Sequence, residues 1–430
     1  MAEIVHLEIE FDAEGNLVDP AAEPALRDAI GGGRTNVLVF AHGWNNTPEK
    51  ARILFQRFFT TVENSVSDAR KGELTTVGVI WPAMRWPDEP DPARSIGGAA
   101  SISTEAAAGT NAALAEGLKA VFPSPGEHRA LDRLLELLDV QPHEPAALSE
   151  FQGLLGELAA GPDAADADED RAEEPILVGN PENVFTSFAD LSPGQDGGGA
   201  AGFGDVWKQT WNGAREAMRV ATYYQMKKRA GVVGKQGLGP LLDRLPAEFH
   251  ARVHTIGHSF GARVVSFALA GLPDEATGAT SPVKSMFLVQ GAFSHYSFAA
   301  TLPFKKEGGA LAGMQARVDG PILVTYTAKD LALADFYPRA SLLHGQDASA
   351  QNSLLQRWGA MGWDGAQEVG ATARNIGPVG TAYDFRGGGF LNLDCNTLIK
   401  DGPWPFGSHS DIIHDELGWV VAAAAGLGRS

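Results

Sequence analysis

Gly257-His258-Ser259-Phe260-Gly261 is the segment best equipped for chemistry. A short β-branched apolar run, 253–256 (VHTI), precedes it, and a helical pattern over 262–272 follows. A serine on such a sharp strand-to-helix turn takes up a strained backbone conformation, and its hydroxyl is lifted above the sheet edge. The N–H groups of the following helix then point at it. Glycines two residues before and two after remove side chains that would collide with the neighbouring strand and helix. The bland alternative is a glycine-rich turn with an N-capping serine; the strand before and the helix after favour the nucleophile.

A serine hydroxyl attacks poorly until a histidine takes its proton, and that histidine needs a carboxylate on its other nitrogen. Around an elbow of this kind the chain order is Ser, then Asp or Glu, then His. The run 322–327 (ILVTYT) predicts a strand, and Asp330 stands just past its end, where side chains line the crevice of an open α/β sheet. Asp335 competes, five residues on, within what reads as the next helical turn. Near the C-terminus, Gly407-Ser408-His409-Ser410-Asp411 leads into a helical pattern over 412–425. His409 falls in the loop before that helix; His414, read as about one turn inside it, ranks second. The run 37–41 (VLVFA) ends in His42-Gly43-Trp44-Asn45-Asn46, a small-residue loop. The backbone N–H of Trp44 there pairs with that of Phe260 as the expected oxyanion hole. His42 reads as structural rather than as a second base.

These residues need a frame, and the apolar pattern supplies one. Continuous apolar runs at 37–41, 76–81, 253–256, 285–290 and 322–327 suit central strands of a parallel sheet covered on both faces. Helix-length segments lie between them, at 48–66, 207–229, 262–272 and about 411–425. Strand–helix alternation predicts an α/β fold with an open, mostly parallel sheet. The opening 4–11 (IVHLEIEF) alternates well enough for an edge strand, followed by a turn at 12–16.

Between about Arg85 and Gly204 the strand signal nearly vanishes. Helical patches appear at 104–122, 127–140 and 145–160. An acidic stretch, 163–174, follows with seven carboxylates and only Arg171 opposing them, and then a glycine-rich run at 194–204. Such composition buries little surface and reads as linker, not as a metal site. The expected organisation is therefore 1–84 and 205–430 as two parts of one α/β core, with 85–204 a helical insertion acting as a cap.

With these motifs in place the sequence resembles the α/β-hydrolase superfamily. More narrowly, it looks like poorly characterised bacterial members that carry a strand–HG–aromatic loop and a strand ending in Trp-Pro. The matching segments are VLVFAHGWNN, VGVIWPA, TIGHSFGARVVSFAL, VTYTAKDLAL and PFGSHSDIIHDEL. The resemblance covers about 36–83 and 207–427, and it implies Asp330 and His409 as triad members beside Ser259. It does not extend over the insertion, which lies where relatives often carry lids or caps.

Composition narrows the classes further. The chain of 430 residues holds 53 acidic and 34 basic side chains, for a formal net charge of −19. That balance excludes non-specific nucleic-acid binding, which needs cations to neutralise phosphates, and argues against charge-driven adhesion to anionic membranes. The single cysteine, Cys395, excludes an intramolecular disulfide framework and a Cys-based zinc site. No basic, then apolar, leader opens the chain and no apolar run approaches about 18 residues, so the expectation is a cytoplasmic protein with no integral membrane segment. His250, His254 and His258 would share one face of a helix, but 252–256 reads as strand and the spacing loses its meaning as a metal motif. Trp44, Trp81, Trp86 and Phe260 could wall an acyl pocket, although aromatics flanking strands are more often core. Trp207, Trp211 and Ala214 follow helical spacing and read as core.

The expected function is a cofactor-free, metal-free serine hydrolase acting on a small-molecule carboxylic ester or related acyl bond. Two alternatives stay open. One is a lipase at lipid surfaces, for which Leu131, Leu134, Leu135 and Leu138 could form an exposed lid face. The other is a catalytically silent binding protein that keeps the fold.

Overall fold

The computed structural model describes residues 4–44, 46–84, 86, 110–160, 179–189, 203–245, 250–333, 359–385, 388–402 and 407–429. Asp335, the acidic stretch 163–174 and most of the glycine-rich run lie outside them. Eight strands form one sheet: β1 (Val5–Glu10), β2 (Asn36–Ala41), β3 (Leu74–Ile80), β4 (Arg252–His258), β5 (Val283–Val289), β6 (Pro321–Tyr326), β7 (Thr372–Asn375) and β8 (Gly389–Asp394). Their order is β1-β3-β2-β4-β5-β6-β8-β7, and every pair is parallel. The chain progresses from β2 to β3 on one side and from β4 through β6 on the other. The topological switch point of this open sheet is thus between β2 and β4.

The burial of each strand follows from its place. β2 and β3 are buried along their whole length, as is β4 beyond Arg252, in keeping with runs covered on both faces. β1, at the edge, alternates more covered apolar positions (Val5 and Leu7 half-buried, Ile9 buried) with more exposed polar ones, as its sequence predicts. The turn after it is closed by Asp12, whose carboxylate accepts the N–H groups of Glu14 and Asn16. β7, at the other edge, is four residues long and exposed throughout, a short polar strand that blunts the open edge.

Two compact units divide the chain. The first takes 1–83, 227–334 and 357–430; the second takes 84–226 with 335–356, of which 335–356 lies outside the described residues. In the first unit, α1 (Ala22–Gly31) connects β1 to β2, and α2 (Pro48–Ser65) connects β2 to β3. α2 opens with Thr47 as N-cap and Pro48 at its first turn, and it buries Phe55, Phe58, Phe59 and Val62. These side chains meet Leu38, Phe40, Ile256, Phe287 and Leu323 of the sheet, together with Leu417 and Val420 of the last helix, α11 (Asp415–Ala424), in one continuous apolar layer. The described residues of this unit also include α8 (Gly239–Asp243), α9 (Phe260–Ala270), which packs on β2, β4 and β5, and the single turn α10 (Met361–Asp364).

The second unit is helical over its described residues: α3 (Thr110–Val121), α4 (Pro125–Val140), α5 (Pro145–Ala160), α6 (Pro181–Ala189) and the first part of α7 (Phe203–Val232). The division between units falls inside α7, between Met226 and Lys227, whereas the sequence pattern placed the boundary at 204. α4 begins with a reciprocal capping box between Ser124 and Glu127. It buries Leu131, Leu134, Leu135 and Leu137, with Leu138 half-buried, so those leucines pack as core and present no exposed apolar face. Phe151 sets its ring edge-on to Phe185 and Trp211, and Trp211 donates its indole N–H to the carbonyl of Pro142. Trp211 and Ala214 are fully buried, while Trp207 is half-buried and stacks on His143. Among the described residues no helix is long and apolar enough to cross a membrane.

Candidate active site

β4 ends in Gly257-His258, and α9 starts at Phe260, so Ser259 alone makes the turn. Its φ is +57° and its ψ −122°, a conformation that costs a non-glycine residue roughly 1–3 kcal/mol. The surroundings enforce it. Ser259 donates its N–H to the carbonyl of Val289 at 3.1 Å, and its own carbonyl accepts from Ala262 at 3.1 Å and Ala292 at 3.2 Å. A Cβ at Gly257 would strike Gly261 and Ala262, and a Cβ at Gly261 would strike the carbonyls of Ala41 and His42. The two glycines of the motif are therefore required by close backbone approach, as the sequence pattern predicts.

Three residues from the connections that follow three different strands meet here. His409 Nδ1 donates to Asp330 Oδ2 at 2.7 Å, and His409 Nε2 accepts from the Ser259 hydroxyl at 2.9 Å. The carboxylate can only accept, and this fixes the tautomer. Asp330 is fully buried and His409 is 14% exposed along its side chain. Asp330 Oδ1 accepts from the Leu333 N–H at 3.1 Å, and Oδ2 also accepts from Gln290 Nε2 at 2.9 Å. His409 lies in a single 3-10 turn, Gly407–Ser410, docked on the acid loop by a bond from the Ser408 N–H to the carbonyl of Lys329 at 3.3 Å.

His414 is not inside the last helix. It is the N-cap residue before Asp415, and its ring is paired with Asp411 at 2.9 Å. The Asp411 carboxylate also accepts from the N–H groups of Lys400 and Asp401, which holds 411–414 out of helical conformation and delays the helix start. Burial works against a charged imidazole at His414, but the hydrogen bonds and charge of Asp411 together outweigh it and raise the pKa, so the ring is engaged away from Ser259.

The loop after β2 forms the other wall. A Cβ at Gly43 would lie 2.6 Å from Ser259 Cβ and 3.2 Å from its Oγ, so only glycine lets this backbone pass so near the hydroxyl. The peptide units of Trp44 and Phe260, the expected oxyanion donors, thus adjoin Ser259 from the ends of two adjacent strands, at the switch point. His42 is tied at both nitrogens: Nδ1 donates to the carbonyl of Gly43 at 2.8 Å, and Nε2 accepts from the Trp81 N–H at 3.4 Å. Its ring stacks on Trp81 at 5.5 Å, and the Trp81 indole donates to the carbonyl of His42. Burial pushes its pKa down to about 4, so it is neutral and holds the loop.

Of the aromatic set read as a possible acyl wall, Trp81, Trp86 and Phe260 are buried as core, and only Trp44 is half-exposed. Trp86 belongs to the second unit, with the Arg219 guanidinium 4.6 Å above its ring. On β4, His254 is paired with Ser285 and buried, and no group of three His, Cys, Asp or Glu side chains among the described residues is placed to hold a metal ion.

Two residues of the site carried no sequence signal. His258, the variable position before the serine, donates Nε2–H to the backbone carbonyl of His409 at 2.9 Å, with the two rings 5.1 Å apart. Burial first, and the nearby His409 second, drive its pKa down to about 3. Gln290, the first residue past β5, reaches Asp330; in the sequence it is only a polar residue after an apolar run. No protein-family model, curated protein or solved structure matches the chain.

Proposed function

We propose that this protein is a serine hydrolase of the α/β-hydrolase type that cleaves a carboxylic ester or a related acyl bond. The observation that carries the proposal is the unbroken chain Ser259 Oγ, His409 Nε2, His409 Nδ1, Asp330 Oδ2, with links of 2.9 and 2.7 Å, beginning on a serine at φ +57°. Its place at the switch point of a parallel sheet is where open α/β sheets bind ligands.

In this mechanism Ser259 Oγ attacks the acyl carbon while its proton passes to His409 Nε2. The carbonyl oxygen becomes an oxyanion between the N–H groups of Trp44 and Phe260, backbone donors fixed in place before the reaction. The imidazolium returns the proton to the leaving alkoxide and the alcohol departs, leaving Ser259 acylated. Water then attacks the acyl-enzyme, gives its proton to the same nitrogen, and releases the acid and free serine. Asp330 stays ionised throughout, orienting the ring and stabilising its positive charge. The cycle balances without cofactor or metal. Esters are favoured over amides because their cleavage is less demanding and common on this fold, an argument by association.

The test is hydrolysis of chromogenic esters from short to long acyl chain beside Ser259→Ala, with fluorophosphonate labelling of both proteins. Turnover and labelling that vanish in the variant support the reading. Absence of both from the native protein overturns it in favour of a binding protein. Strong activation by micelles would favour a lipase.

A further inference from the structure

Resting on that reading, we infer that Gln290 is a positioning residue for the acid: its side-chain amide fixes the rotation of the Asp330 carboxylate and, through it, the tautomer of His409.

The amide has only one workable orientation. Nε2 faces Asp330 Oδ2 at 2.9 Å and the carbonyl of Gly362 at 3.1 Å, two groups that can only accept. Oε1 faces Thr325 Oγ at 3.0 Å, and that hydroxyl already accepts the Gln290 backbone N–H at 3.0 Å, so its proton is directed to Oε1. A flipped amide would set oxygen against oxygen at both Asp330 and Gly362. All of this is enclosed: Gln290, Thr325 and Asp330 are 0% exposed. Removed from bulk solvent, each unmade bond would leave a buried polar group alone.

The backbone points the same way. Gln290 has φ +47°, a left-handed conformation that a non-glycine residue adopts only when its surroundings over-determine it. The turn directs the chain out of β5 just where its side chain can cross to the end of β6. Strain of this kind next to the strained Ser259, whose N–H bonds the Val289 carbonyl one residue earlier, links the nucleophile turn and the acid support through a single strand end.

The consequence is chemical. Asp330 Oδ2 accepts from both Gln290 and His409, and Oδ1 accepts from the Leu333 N–H, so the carboxylate plane is pinned from both sides. With the plane fixed, Oδ2 always faces His409 Nδ1, the proton stays on Nδ1, and the Nε2 lone pair stays toward Ser259. Without the amide only the Leu333 N–H and His409 itself hold the carboxylate, its plane can tilt, and the bond that selects the tautomer weakens.

The experiment follows the His409 ring in 15N-histidine-labelled protein, together with the rate of Ser259 labelling by a fluorophosphonate, in native protein, Gln290→Ala, Gln290→Glu and Thr325→Val. Native protein should show His409 as the Nδ1–H tautomer with a low-field Nδ1 proton. Gln290→Ala should show mixed tautomers and about 100-fold slower labelling, the size of loss a displaced catalytic group causes. Gln290→Glu sets a carboxyl against Asp330 and works only while the pair shares a proton. Its labelling rate should therefore fall at alkaline pH where the native rate is level. The titratable groups met there are Asp330 and, through it, His409. Thr325→Val, which keeps the shape and removes only the bond to Oε1, should move the same signals by less and covers the case in which the position-290 variants fail to fold. An unchanged His409 tautomer in Gln290→Ala or, should that variant not fold, in Thr325→Val overturns the inference, whatever the labelling. Native protein that shows the fixed tautomer but no labelling overturns the hydrolase reading alone.

Discussion

Two histidine–aspartate pairs of the first unit, His409–Asp330 and His295–Asp364, differ in what meets the far nitrogen of the imidazole. His409 donates Nδ1–H to Asp330 at 2.7 Å; His295 meets both oxygens of Asp364 through Nδ1 at 2.8 Å. On the far nitrogen, His409 has the Ser259 hydroxyl, whereas His295 Nε2 has no hydrogen-bond partner among the described residues. The carboxylates differ as well. Asp330 is enclosed and pinned by Gln290 and Leu333, while Asp364 is 27% exposed along its side chain and beside a cavity of about 400 Å³. The His295 backbone bonds Gly359 and Gln367, so that pair clamps the segment around α10 onto the loop after β5. A carboxylate-bound imidazole is therefore common structural material; a nucleophile on the opposite nitrogen is what makes one of them a candidate base.

The largest expected effect is at that nucleophile. Ser259→Ala should abolish fluorophosphonate labelling and lower ester turnover by about 10⁶-fold. Retained turnover at the native rate would move the chemistry elsewhere. Next comes the matched pair of acid variants. Asp330→Asn should cost about 10⁴ in kcat by allowing the wrong tautomer. Asp364→Asn should leave kcat alone and lower stability by about 1–3 kcal/mol, read as a drop in thermal midpoint. Equal losses of activity in the two would erase the distinction.

A smaller loss is expected at His258, which touches the base only through its backbone carbonyl. His258→Phe keeps the ring volume, removes that bond, and should lower kcat by about 10–100-fold with KM little changed. A change confined to KM would place His258 in substrate binding instead.

The smallest effect concerns pH and separates buried imidazoles without a carboxylate from those with one. Burial lowers the pKa of His254 to about 3, of His258 to about 3 and of His42 to about 4, each from 6.5. Below pH 6.5 the unfolded chain therefore binds more protons at these sites than the folded one, and stability rises with pH there. Thermal midpoints should fall as pH drops from about 6.5 toward these values. His254→Asn, which keeps a polar partner for Ser285, should make that acid limb shallower without affecting activity. An unchanged slope would mean that His254 is protonated in the fold.

Much of the frame was legible because its determinants are local. Central strands are continuous apolar runs, α2 carries its own cap and apolar stripe, and the elbow announces itself by glycine spacing around a serine. The strands missed were β7 and β8. The first is four exposed residues with no apolar pattern, and the second reads GFLNLD, short and mixed because it lies near the sheet edge. The start of the last helix was placed too early because Asp411 spends its carboxylate on two N–H groups ten and eleven residues upstream in the chain, a contact no helical periodicity encodes. Three of the four aromatic side chains offered as an acyl wall, Trp81, Trp86 and Phe260, turned inward for the reason aromatics usually do, the large area they bury, while Trp44 stays half-exposed.

By itself the sequence determined an α/β chain with parallel strands, a serine on a strand-to-helix turn, and a carboxylate and a histidine in the order such a serine requires. Only the tertiary structure decided which atoms meet. Ser259 and His409 are 150 residues apart, and His409 and Asp330 are 79 apart. What joins them is the parallel register that brings the ends of β4, β6 and β8 to the same edge of one sheet. The supports, His258 and Gln290, are legible only at that level, because each acts through a hydrogen bond to a group that is remote in the chain and near only once the sheet has formed.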